Sequence, residues 1–153
     1  MQTTMRAGAT QPLVHPQLPK IRGFYWKRIR EDESCGGGLE ATTLLMAPGE
    51  RAAMLTIVLY PDLALLRHLL VDSGYYTRGS SYRGQGLGAK IGAAVLAAYG
   101  HLPIDAWFDP DQDDPGLSAE QLRAWAERHG FGPHPDPEKP HWMRRPPQQE
   151  LPV

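Results

Sequence analysis

The stretch from Ser80 to Tyr99, SSYRGQGLGAKIGAAVLAAY, constrains the fold of this chain more than any other. It opens as a glycine-rich turn and runs directly into an amphipathic helix. Arg83, Gly84, Gly86 and Gly88 fall where the chain changes direction. Leu87, Ile91, Ala94, Val95 and Ala98 then recur at spacings of three and four, which marks one helical face turned to a core. The first turn of a helix carries backbone N–H groups with no partner inside the helix, and the macrodipole adds positive character there. Glycine lets a bulky anion approach that backbone because no Cβ stands in the way. Arg83 and Lys90 add full charges nearby. These residues suit a phosphate or pyrophosphate cradle. They equally suit a tight strand-to-helix turn that needs glycine for geometry alone.

Two other phosphate motifs fit these residues less well. A Walker loop requires Gly-Lys-Ser/Thr, and here Gly88 is followed by Ala89 and Lys90. A dinucleotide fingerprint begun at Gly86 meets Ile91 where its last glycine belongs. Begun at Gly84 it ends on Ala89, a permitted variant, but no run of βαβ units surrounds it.

At 153 residues the chain is long enough for one compact domain with a real core. A net charge of −1 gives no general attraction to nucleic acid or acidic membranes, so neither is an expected partner. Cys35 is the single cysteine, which rules out an intrachain disulfide and fits a reducing compartment. It sits beside Gly36-Gly37-Gly38, in what reads as a mobile linker. Residues 1 to 20 are polar and broken by proline, without the apolar segment of a signal peptide. The most apolar run, Ala64 to Val71, is interrupted by Arg67 and His68 and is too short to span a bilayer. A cytoplasmic location is expected.

Residues 1–40 read as an N-terminal arm or linker, 41–145 as the domain, and 146–153 as a disordered tail. Within the arm, Lys20 to Arg30 (KIRGFYWKRIR) is basic and aromatic, a short helix or strand laying Ile21, Phe24, Tyr25 and Ile29 against the body. Ala41 to Ala47 and Arg51 to Tyr60 read as strands joined by the turn dipeptide Pro48-Gly49, a hairpin. Leu63 to Val71 serves as a third strand or a short helix. Gly100 ends the first helix, and Leu102 to Phe108 is another strand. Asp109 to Gly116 is an acidic loop that lacks the glycine and glutamate of a calcium site. Ser118 to His129 is a second helix with a capping box at Ser118 and Gln121, and Gly130 follows its end. His141 to Arg144 forms a short final strand. The histidines show no metal-ligand spacing.

Strands, then Arg83-Gly84-Gln85-Gly86-Leu87-Gly88 opening a helix, then a strand and a helix closing on Gly130-Phe131: this order resembles the GNAT N-acetyltransferase superfamily. Its Arg-x-x-Gly-x-Gly signature matches at residues 83 to 88, and the likeness in element order covers about residues 41 to 145. The resemblance implies an α/β (α+β) fold, a mixed and mostly antiparallel central sheet flanked by helices in a single domain. It implies acetyl-CoA as the acyl-donor cosubstrate, lying where two strands splay apart. The amides of Gln85, Gly86, Leu87, Gly88, Ala89 and Lys90 would then hold the pyrophosphate, with Arg83 and Gly84 at its rim. Backbone groups of Leu69, Leu70 and Val71 would line the pantetheine arm and hold the thioester oxygen. The reaction would be direct attack by an amine acceptor, a small molecule or a protein. His68 and Asp72 are the candidate general bases, with Asp105 and Asp109 as further possibilities.

The chain departs from the family pattern twice. Gly74 to Ser80 stands between LLVDS and SYRGQG like an insertion or a continued strand. Ala126 occupies the position where many members carry a tyrosine that protonates the thiolate. Ser118, Tyr75 and Tyr76 are substitute donors in sequence, and a CoA-binding module without catalysis is the competing function. A homodimer formed through an exposed sheet edge is a further expectation.

Overall fold

A computed structural model describes residues 12–71, 86–107 and 119–148. Its strands are β1 (Tyr25–Ser34), β2 (Gly38–Ala47), β3 (Glu50–Tyr60), β4 (Leu63–Val71), β5 (Ile104–Trp107), β6 (Gly132–Pro133) and β7 (Trp142–Arg145). Its helices are α1 (Leu87–Tyr99) and α2 (Ala119–Arg128). The strands form one seven-stranded sheet in the order β1-β2-β3-β4-β5-β7-β6. Neighbours run antiparallel except β4 and β5, which are parallel and joined through α1. The mixed sheet expected from sequence is therefore present, and Leu63–Val71 is a strand.

The meander β1 to β4 follows from its turns. Gly49 sits at φ 79° between β2 and β3, a conformation costly for any residue with a Cβ. Pro61 and Asp62 join β3 to β4. The arm expected over residues 1–40 is corrected here, because Tyr25–Ser34 is the full first strand and Cys35–Gly37 is a 3-10 turn into β2, not a linker. Nearly every residue of β1 is exposed, so no hydrophobic period marked it. Arg28 pairs with Glu31, and Arg30 with Asp32, along this edge.

One face of the sheet carries the core. Leu45, Leu55, Ile57, Leu66 and Ile104 meet Leu87, Ile91, Ala94, Val95 and Ala98 of α1, the helical stripe read from the sequence. Ala126 and Phe131 join the same cluster. Burying such side chains stabilises by roughly 1.5–3 kcal/mol each before entropic costs. Both helices thus serve one face, so among the described residues the sheet is not flanked on two sides. Gly100 ends α1 in ordinary right-handed geometry (φ −65°), not the left-handed one usual for a terminal glycine. Gly130 after α2 does take the left-handed form (φ 89°).

The segment before β1 is tied down by a buried histidine. His15 Nε2 lies 2.7 Å from the Leu39 carbonyl oxygen, which can only accept, so Nε2 carries the proton. Nδ1, 2.7 Å from the Tyr99 hydroxyl, is left to accept its hydrogen. Burial lowers the His15 pKa and pushes that of Tyr99 up to about 12. Arg28 and Glu31 are the charged groups whose fields reach this imidazole, with opposing effects.

A depressed histidine pKa means the unfolded chain binds a proton that the folded chain refuses. Stability is then whole above the ordinary histidine pKa of 6.5 and falls as pH drops below it toward the folded value. Urea titrations between about pH 7 and pH 5 should show this slope reduced in His15→Gln. His129 has a lowered pKa of the same sign, so the difference between the two proteins isolates His15.

Candidate functional site

The parallel pair lies inside the sheet, between β3 and β7. Ala64 N–H donates to the Pro103 carbonyl at 3.0 Å, which sets the start of β5 beside the start of β4. Since α1 runs back from the end of β4 to the start of β5, its N-terminus lies at the carboxyl ends of both strands. Open crevices in α/β sheets form at such ends.

The two strands stay together only briefly. Ala64, Leu65 and Leu66 pair with Ile104, Asp105 and Ala106, and no later β4–β5 pair occurs among the described residues. On the other side of β4, Leu66 pairs with Ile57 and His68 with Thr56, leaving Arg67 as the extra residue of a bulge. A bulge bends its strand and increases local twist. It lies where the ladder to β5 stops, so the end of β4 can turn away from β5.

The bulge also sets which way each candidate residue points. Ala64 and Leu66 face the core before it; Leu69 and Val71 pack against the core after it. His68 and Leu70 fall on the opposite face, in rows with Thr56 and Met54. His68 is exposed, and Leu69, Leu70 and Val71 are half-buried. Asp72 lies outside the described residues.

At the start of α1, Gly86 adopts φ 75°, ψ 8° and its carbonyl accepts the Lys90 N–H at 3.2 Å. Among the described residues, nothing lies within 4 Å of a Cβ built on Gly86. Ala89 and Lys90 are exposed, while Leu87 is buried and anchors the turn. Arg83, Gly84 and Gln85 lie outside the described residues, as do Gly74 to Ser80, Asp109 and Ser118.

Gly88 has a second role that sequence reasoning missed. Its carbonyl accepts the Trp125 indole N–H at 3.0 Å, and a Cβ there would stand 3.4 Å from that nitrogen. One turn on, a Cβ at Gly92 would stand 2.5 Å from the His129 ring. Gly88 and Gly92 are four apart on α1, and Trp125 and His129 four apart on α2, so two bare positions receive two rings. Ala126 is 0% exposed within the core.

Asp105 is corrected as a base candidate. Burial opposes its charge, but hydrogen bonds from Arg144 (2.5 and 3.0 Å) and the His134 contact (3.0 Å) outweigh this and hold its pKa below the ordinary carboxylate value. His134 Nδ1 accepts the Asp136 N–H, so its Nε2 donates to Asp105. These bonds clamp β5 to β7. A cavity of about 970 Å³, lined by Leu13, Glu33, Leu39, Tyr60 and His101 among others, lies at the far end of α1 from Gly86. Among the described residues, no group of His, Cys, Asp and Glu could hold a metal ion, and no helix is long and apolar enough to cross a membrane.

No protein-family model and no curated protein matches the chain. Three solved structures resemble it in part. The anti-CRISPR protein AcrVA5 has a TM-score of 0.46 at 21% identity, over 61% of this chain and 88% of that one. A putative acetyltransferase of the GNAT family from Bacteroides thetaiotaomicron has a TM-score of 0.49 at 11% identity, over 72% of this chain and 63% of that one. A protein of unknown function, AQ1966, from Aquifex aeolicus VF5 has a TM-score of 0.41 at 13% identity, over 90% and 79%.

The helix contact gives a direct test. Gly92→Ala should destabilise the fold by about 1–3 kcal/mol through overpacking. Combining it with His129→Ala should recover part of that loss, measured as a double-mutant cycle in urea.

Proposed function

We propose that the chain is an acetyl-CoA-dependent N-acyltransferase acting on an amine acceptor. One coincidence carries this: the helix N-terminus capped by Gly86 lies at the same end of the sheet as the point beyond which β4 and β5 have no pair among the described residues. The first suits a diphosphate, since free N–H groups and the helix dipole favour anions. The second suits a slender arm rich in amides, because Arg67 to Leu70 of β4 pair with no β5 residue among the described residues.

In this reading the amides from Gln85 to Ala89 hold the diphosphate, with Arg83 and Gly84 at the rim, while Lys90, whose N–H is donated to the Gly86 carbonyl, adds only its side-chain charge. Backbone groups around Leu69, Leu70 and Val71 align the arm, and an N–H there receives the carbonyl oxygen as negative charge grows on it. Acetyl-CoA supplies an activated acyl group, so the amine nitrogen forms a C–N bond while the C–S bond breaks and the thiolate is protonated. His68 takes the proton from the attacking ammonium, for which its exposed place beside the gap is suited. Asp72 is the alternative base.

Burial of Ala126 favours a second reading, a module that binds CoA without catalysis, because the usual acid position holds no proton donor.

Two substitutions separate these possibilities. Ala89→Glu places a carboxylate on the exposed first turn, where the helix dipole tolerates it. It should leave the melting temperature unchanged and weaken acetyl-CoA binding about tenfold or more in calorimetry. Unchanged affinity would remove the cradle. His68→Ala should lower the rate of CoA thiol release by about a hundredfold with acetyl-CoA affinity unaltered. A wild-type chain that binds acetyl-CoA yet releases no thiol with any amine supports the module instead.

A further inference from the structure

Beyond Leu66 and Ala106 no β4–β5 pair occurs among the described residues, and the two faces of the sheet carry different groups there. The glycine-capped end of α1 lies on the core-bearing face. On the other face, β5 ends in Trp107, one residue past the last β4–β5 pair, and β4 presents His68 two residues past it. Trp107 is 55% exposed, an unusual state for the largest apolar side chain. It is braced from behind. Trp142 of β7 stands directly opposite in register and its ring stacks on Trp107 at 6.1 Å and 23°. The Lys139 ammonium lies 5.8 Å from the Trp142 ring centre.

Charge on this face narrows what the indole can receive. The carboxylates placed here by β2 and β5, Glu40 and Asp105, are both occupied. Glu40 accepts from Arg67 at 2.6 Å, and Asp105 is held by Arg144 and His134. Neither is left to hold the second ammonium of a polyamine, and Lys139 adds positive charge beside the stack. Among the described residues of this face, what remains for recognition is the exposed indole of Trp107, which suits a flat ring.

We propose that Trp107, backed by Trp142, is the stacking platform for an aromatic ring on the acceptor, so that the acceptor class is an arylalkylamine. This rests on the acyltransferase reading above. The ring lies on the indole and the amine reaches into the gap beside His68, facing the acyl group held from the α1 side.

The experiment uses the full chain, with phenethylamine and putrescine as acceptors and CoA thiol release as the readout. Acetyl-CoA affinity is measured separately by calorimetry. Phenethylamine should be used about tenfold or more better in kcat/KM. Trp107→Ala should erase that advantage through KM, with acetyl-CoA affinity unchanged, and Trp107→Phe should keep most of it. Equal use of the two amines, or an advantage that survives Trp107→Ala, overturns the platform. If wild type binds no acetyl-CoA, the acyltransferase reading fails and this inference with it. If it binds acetyl-CoA but acetylates neither amine, saturation transfer from protein to the phenethylamine ring decides. Transfer lost in Trp107→Ala upholds the platform, and transfer absent in wild type overturns it.

Discussion

The insertion of Arg67 into β4 is the constraint on which the rest of the site depends. Side chains in a strand alternate faces, so a single extra residue reverses the alternation beyond it. Before Arg67 the even-numbered Ala64 and Leu66 face the core; after it the odd-numbered Leu69 and Val71 do. Without the insertion, His68 and Leu70 would be driven toward the helices. With it, His68 stays on the open face, and the strand bends where its ladder to β5 ends.

The remainder of the sheet holds that gap in place from both sides. To the left, β2 to β4 are tied by long ladders and by apolar contacts under α1. To the right, β5 has only four residues and relies on the Asp105–Arg144–His134 bonds to stay fixed to β7. An ion pair of this kind stabilises little against a well-packed apolar alternative, but losing one partner would leave the other buried and uncompensated. At the far edge, β1 carries paired charges and a bulge at Ile29, both of which discourage another strand from adding there.

Packing between the helices changes what the glycine-rich turn means. Gly86 has the geometry of a cap, and among the described residues nothing lies within 4 Å of a Cβ there, as a cradle requires. Gly88 and Gly92 answer to a different demand, the close approach of Trp125 and His129. Of the two interpretations open at the sequence level, glycine for geometry therefore accounts for Gly88, and the cradle is proposed at Gly86. Substitutions at Gly88 would disturb helix packing as much as ligand contact, which makes exposed Ala89 the cleaner probe.

From the amino-acid order alone came the hairpin at Pro48-Gly49, the strands from Ala41 to Tyr60, both helices, the buried stripe of the first and the glycine turn at its head. These are local matters, governed by periodicity, capping and turn chemistry within a few residues. That Leu63–Val71 is a strand and not a helix came from its pairing with β3. The interruption of an apolar run by Arg67 and His68 was visible too, but not its meaning, because a bulge exists only relative to a partner strand. The same holds for β1, whose charged residues make a strand only beside β2, and for Asp105, whose carboxylate looked available until Arg144 and His134 arrived from elsewhere in the chain. Tertiary structure decided these, since pairing register and buried ion partners join residues far apart in sequence, where local preference carries no information.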